Sequence, residues 1–110
     1  MEINNKDAGD VKVVGLDGNL DTNTSPAAQQ HLDDLIDNGG SKVLIDLEKL
    51  NYISSAGLRI MLATAKKLRT AGGDLRLCNL NQSVQEVFEI SGFSSILSVH
   101  GSEVEALDGF

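Results

Sequence analysis

Two hydrophobic periods lie back to back between Lys42 and Arg69, in KVLIDLEKLNYISSAGLRIMLATAKKLR. The run Val43-Leu44-Ile45-Asp46-Leu47 is short and almost continuously apolar, the pattern of a central strand covered on both faces. Leu58, Met61, Leu62, Ala65 and Leu68 then recur at helical spacing and mark one face of a helix from about Gly57 to Thr70. A buried strand followed by an amphipathic helix points to an α/β fold. Between the two, Tyr52-Ile53-Ser54-Ser55-Ala56-Gly57 puts small and hydroxyl residues where a loop meets the first turn of a helix. Open α/β sheets tend to place chemistry or recognition at such junctions.

The rest of the chain repeats the alternation. Ile3 is the only mark of a first strand in a polar opening, and Asp7 to Asp10 reads as a turn. Val11, Val13, Val14 and Leu16 predict the next strand, with Gly15 leaving room for a close approach or a bulge. Asp17-Gly18-Asn19 is a turn signal. The polar loop Asp21-Thr22-Asn23-Thr24-Ser25-Pro26 leads into a helix that either Thr24 or Ser25 can cap, with Pro26 suited to its first position. Ala28, Leu32, Leu35 and Ile36 form the apolar face of that helix, Asp33, Asp34 and Asp37 its wet face, and Asn38-Gly39-Gly40 its end.

After Ala71-Gly72-Gly73 comes a strand at Leu75-Arg76-Leu77-Cys78. Val84, Val87, Phe88 and Ile90 mark a short third helix, ended by Ser91-Gly92. Phe93 with Ile96-Leu97 predicts a final short strand, and Ser102 with Glu105 resembles a capping box opening a terminal helix. The expectation is a single small α/β domain over residues 1–110, an amino-terminal hairpin followed by alternating elements, with helices packed on a mixed sheet.

The formal charge of −7 argues against nucleic acid or an anionic membrane as the main partner. Arg59, Lys66, Lys67, Arg69 and Arg76 read as the solvated side of a helix and its neighbouring strand. Cys78, the one cysteine, lies in an apolar run and reads as a buried structural thiol. The opening MEINNKDAGD lacks the regions of a signal peptide and no window approaches a membrane span, so the expected location is cytoplasmic.

No nucleotide-binding glycine loop, no metal-spaced cluster and no cofactor motif stands out, and no residue reads as catalytic. His31 and His100 carry no ligand spacing. Asp46, drawn with Asp21 and Glu48 as a possible carboxylate pair, reads better as a structural strand-end acid. The informative pair is Ser54-Ser55, either of which can cap the helix behind it. A phosphoryl group on a serine there would meet unpaired backbone N–H groups and the helix dipole, and would bring about −1.5 to −2 charges.

The run Leu44-Ile45-Asp46-Leu47 through Tyr52-Ile53-Ser54-Ser55-Ala56-Gly57-Leu58 resembles the STAS domain, the family of bacterial anti-sigma factor antagonists. Gly18-Asn19-Leu20-Asp21, Gly72-Gly73-Asp74-Leu75 and Leu77-Cys78-Asn79-Leu80 fall in register with it. The family's motif before the second helix usually reads Asp-Ser-Ser/Ala-Gly-Leu, and its serine after the aspartate is the phosphorylated one. The resemblance therefore implies Ser55 as phosphoacceptor, with Ser54 at the aspartate's place and as the alternative acceptor. It implies a partner surface of Asp21, Thr22, Ser54, Ser55, Ala56, Gly57 and Arg59. The implied function is a non-enzymatic partner switch: the unmodified protein binds a serine kinase that doubles as anti-sigma factor, phosphorylation breaks the complex, and a serine phosphatase resets it. The alternative is the same fold as a non-switching scaffold or subunit of another regulatory complex. Nothing in the sequence sets the oligomeric state.

Overall fold

The computed structural model describes residues 1–110, arranged as one mixed sheet of six strands with four helices. β1 (Glu2–Ala8) and β2 (Val11–Leu20) form the amino-terminal hairpin, antiparallel from Glu2↔Asp17 to Ala8↔Val11. β3 (Lys42–Asp46) lies parallel to β2, β5 (Asp74–Cys78) parallel to β3, and β6 (Ser98–His100) parallel to β5. The remaining strand, β4 (Leu50–Ile53), takes up where β3 stops. It pairs in parallel with the far end of β2, from Gly18↔Leu50 to Leu20↔Ile53. At ten residues β2 is long enough to serve β3 with its first half and β4 with its last.

Three sequence expectations change here. Asp17-Gly18-Asn19 is not a turn: β2 runs through it, and the register shifts between Gly18 and Asn19 as in a bulge. Gly18 sits at φ 116°, a backbone state that glycine reaches without strain, and its N–H donates to the Lys49 carbonyl at 3.0 Å. The segment before the second helix, expected as loop, contains β4. The expected strand at Phe93 and Ile96-Leu97 is instead a 3₁₀ turn (Phe93–Ser95), and the strand proper starts one residue later at Ser98.

Alternation along the strands divides the core in two. Val14, Leu16, Val43, Ile45, Leu75 and Leu77 face the helices α1 (Ser25–Asp37), α2 (Ser55–Thr70) and α3 (Gln82–Ile90). Leu32 of α1, Met61 and Leu68 of α2 and Phe88 of α3 close this main core at 1% exposure or less. On the other face Val11, Val13, Leu44 and Cys78 form a small cluster under Ala106 of α4 (Glu103–Leu107). A five-residue helix has little stability of its own. Ser102 caps it through the Glu105 N–H, and Arg76 fastens its carboxyl end. The Arg76 guanidinium donates to the carbonyls of Ala106 and Asp108 at 2.8 Å and of Gly109 at 3.2 Å, and lies 4.4 Å from the Phe110 ring centroid.

Cys78 is fully buried in that second cluster, as its apolar run implied. Burial, with the nearby Asp46 and Glu103 charges adding to it, pushes its thiol up to about 12. Among the basic residues, Lys67 bridges Asp33 and Asp37, so two of the acids expected to face water serve as ion-pair partners across the α1–α2 contact.

Candidate functional site

Two loops meet at the carboxyl ends of the parallel strands, the edge where α/β sheets place their sites. The first leaves β2 at Asp21 and the second leaves β4 at Ser54. The register Leu20↔Ile53 brings them together, and the Ser54 N–H donates to the Leu20 carbonyl at 2.9 Å. The two loops are thus tied through backbone.

The Asp21 loop is held by its own side chains. One carboxylate oxygen of Asp21 accepts from the N–H groups of Asn23 (2.9 Å) and Thr24 (3.1 Å). Thr24 occupies the residue before α1 but makes no side-chain cap; its hydroxyl donates to the Asn19 carbonyl at 2.8 Å and accepts from the Asp21 N–H at 2.9 Å. Ser25, the other expected cap, is the first residue of α1, and its hydroxyl is buried without a partner. The missing side-chain cap is therefore offset by Asp21, which satisfies a donor of the helix start from outside. Thr22 stands exposed at the tip.

At the second loop the two serines separate. Ser54 is half-buried and extended (φ −93°, ψ 175°), and its Oγ accepts from the Gly57 N–H at 3.3 Å, so it is the N-cap of α2. Ser55 is the first helical residue, exposed, and its hydroxyl bonds to no other protein group. The helix accordingly starts two residues earlier than expected. Gly57 lies buried beneath, where a Cβ would stand 2.8 Å from Ile53 Cγ1 and 2.9 Å from Leu20 Cγ. Its place in the predicted surface is thus corrected: it faces inward and lets the helix start press onto the ends of β2 and β4. Ala56 is half-buried beside it, and Arg59 is exposed one turn further on.

Tyr52, the one tyrosine, is 54% exposed on β4 beside this junction. The expected partner surface does not include it, because its segment reads as loop: four residues with only the two ends, Leu50 and Ile53, buried carry no strand pattern. The histidines lie elsewhere in the bonding pattern: His31 Nε2 pairs with Asn5 Oδ1 at 2.8 Å and His100 Nε2 with Ser98 Oγ at 2.9 Å. Neither hydrogen-bonds the Ser55 hydroxyl. Asp46 braces the turn after β5: its Oδ1 accepts from the Glu48 N–H at 3.0 Å and from Asn79 Nδ2 at 3.1 Å, Asn79 being at φ 59°. A concavity of about 190 Å³ opens beside β1 and β2, lined by Lys6, Gly15, Asp17 and Asp46 among others, and contains none of the predicted site residues.

The family model of the STAS domain matches residues 2–106. The chain belongs to the STAS domain family. BtrV of Bordetella bronchiseptica is 52% identical to this STAS protein over 75 residues, which are 68% of the chain and 65% of BtrV, just under two thirds of that relative's length. The anti-sigma F factor antagonist of Paenibacillus polymyxa is 30% identical over 98 residues, covering 88% of the chain and 84% of the relative. Among solved structures, the anti-sigma factor antagonist SpoIIAA in its unphosphorylated form superposes with a TM-score of 0.82 at 22% identity, over 97% of this chain and 94% of that one. The Bacillus SpoIIAA structure in the phosphorylated form superposes at 0.74. At these identities the superpositions bear on the fold, a small α/β domain with helices packed on a mixed sheet, as expected. No helix is long and apolar enough to cross a membrane.

Proposed function

We propose that this STAS protein is an anti-sigma factor antagonist working in the cytoplasm as a phosphorylation-controlled partner switch, with Ser55 the phosphoacceptor and one STAS domain taking up residues 1–110. The observation that carries the reading is the division of labour between the serines. Ser54 Oγ is engaged as the cap of α2, while the Ser55 hydroxyl is exposed and uncommitted. The unmodified chain binds a serine kinase that is also the anti-sigma factor, through Thr22, Tyr52, Ser55, Arg59 and the exposed parts of Asp21, Ser54 and Ala56. The chain is the substrate and catalyses nothing. Phosphorylation puts about −1.5 to −2 charges on a surface that was to be buried against the partner, and the cost of desolvating them opens the complex. A serine phosphatase restores the hydroxyl. The family membership, the name of the Paenibacillus relative and the existence of phosphorylated SpoIIAA support this reading.

Ser54 at the motif's usual acid position fits the same picture. Serine and aspartate are about equally good N-caps, so the exchange preserves the start of α2 while dropping a carboxylate beside the acceptor. The test is incubation with ATP and the serine kinase encoded nearest this gene, followed by intact mass. One added phosphoryl group, kept in Ser54→Ala and lost in Ser55→Ala, is the expected outcome. A chain that binds the kinase yet stays unmodified would point to the non-switching scaffold.

A further inference from the structure

The acid-rich chain has nine lysines and arginines, and the fold employs most of them. Lys6, Lys12, Lys42, Lys67 and Arg69 pair with carboxylates, and Arg76 holds backbone carbonyls. Arg59 makes no ion pair and no side-chain hydrogen bond, although acids outnumber bases in the chain. No Asp or Glu occurs between Glu48 and Asp74, so α2 offers Arg59 no acid of its own, and the acids that pair with Lys67 and Arg69, Asp33, Asp37 and Asp74, serve the far end of the helix. Arg59 is exposed and four residues beyond Ser55, which places the two side chains one above the other on one helical face, their Cβ atoms about 5–6 Å apart. The arginine side chain is long enough to fold back over that turn. Its planar fork matches phosphate oxygens, whereas a neutral serine hydroxyl gives it no reason to do so.

We propose that Arg59 is the built-in counter-ion of a phosphate on Ser55. The inference rests on Ser55 as the modified residue and adds how the modification is read. In the unmodified chain Arg59 is an unpaired cation beside Ser55, suited to a carboxylate of the docking protein. Once Ser55 carries phosphate, Arg59 folds onto it and is withdrawn from that carboxylate. The modification then acts twice, by adding an anion and by removing the cation next to it. Lys66, equally unpaired but seven residues further along α2, is too distant to share this role.

The test needs no kinase. Phosphoserine is installed at position 55 during synthesis, and the phosphate is titrated by phosphorus NMR in otherwise unchanged protein, in Arg59→Ala and in Lys66→Ala. Arg59→Ala is expected to raise the second phosphate pKa by about 0.2–0.7 unit at low salt, the range for an exposed charge pair. The difference shrinks in molar salt, and Lys66→Ala leaves the titration in place. Equal titration with and without Arg59, or an equal shift on removing Lys66, overturns the proposal. Failure of the kinase to modify Ser55 would sink the switch reading while leaving this titration unaffected, so the two fail separately.

Discussion

Replacing Gly57 by alanine sets two known effects against each other at one atom. In a helix interior the exchange gains up to about 1 kcal/mol of propensity, and less in the first turn, where Gly57 sits. The new methyl, however, would stand 2.8 Å from Ile53 Cγ1 and 2.9 and 3.0 Å from Leu20 Cγ and Cδ2. Ile53 and Leu20 are 2% and 0% exposed and are anchored in paired strands, so these branch carbons have little room to give way. Overpacking of this kind costs about 1–3 kcal/mol. The net expectation is a loss of about 1–2 kcal/mol, which for a domain of this size lowers the melting temperature by about 5–10 °C. Urea denaturation with an unchanged m-value measures it. A double-mutant cycle with Leu20→Ala sharpens it: the added methyl partly fills the space that the leucine vacates, so the pair costs at least about 0.5 kcal/mol less than the two changes summed. A Gly57→Ala protein as stable as the parent, or strict additivity with Leu20→Ala, would refute the close-approach argument.

The capping role of Ser54 predicts that Ser54→Ala costs about 1 kcal/mol in urea denaturation while Ser54→Asp is neutral or stabilising; an aspartate that destabilises as much as alanine would contradict it. Cys78 makes stability fall at alkaline pH. Burial pushes its thiol from 9.0 up to about 12, so between these values the unfolded state has lost the proton that the folded state keeps. That adds a slope of about −1.4 kcal/mol per pH unit, absent below the lower value and complete above the upper. Stability measured from pH 8 to 11 should decline less steeply in Cys78→Ala, and parallel curves would count against the buried thiol as the cause.

The sequence was legible wherever one signal acts alone. β3 and α2 were readable because a continuous apolar run and a 3.6-residue period carry no competing cue. β4 was hidden because four residues with only Leu50 and Ile53 buried show neither alternation nor a run. Gly18 carried the local mark of a turn, but pairing with Lys49 and Leu50, distant in sequence, made it a bulge. Phe93 and Leu97 were apolar for a different reason than the one assumed: they pack on the main core from a 3₁₀ turn and its exit. At the site, the polar loop at Asp21 and the hydroxyl pair were both evident. Which serine caps and which is free was not, since that depends on where the first helical turn begins. The two-residue displacement of that start decided it.

The hydrogen bond from Ser54 to the Leu20 carbonyl has a consequence for the kind of signal this edge can carry. With the second loop tied to β2 through the Ser54 N–H, the Asp21 carboxylate bracing the first loop and the Ser54 hydroxyl capping α2, the surface resembles a printed page. Under the proposed switch, a phosphoryl group on Ser55 would change the ink and leave the paper flat. A reader of such a page must be sensitive to charge, so its discrimination should weaken as ionic strength rises.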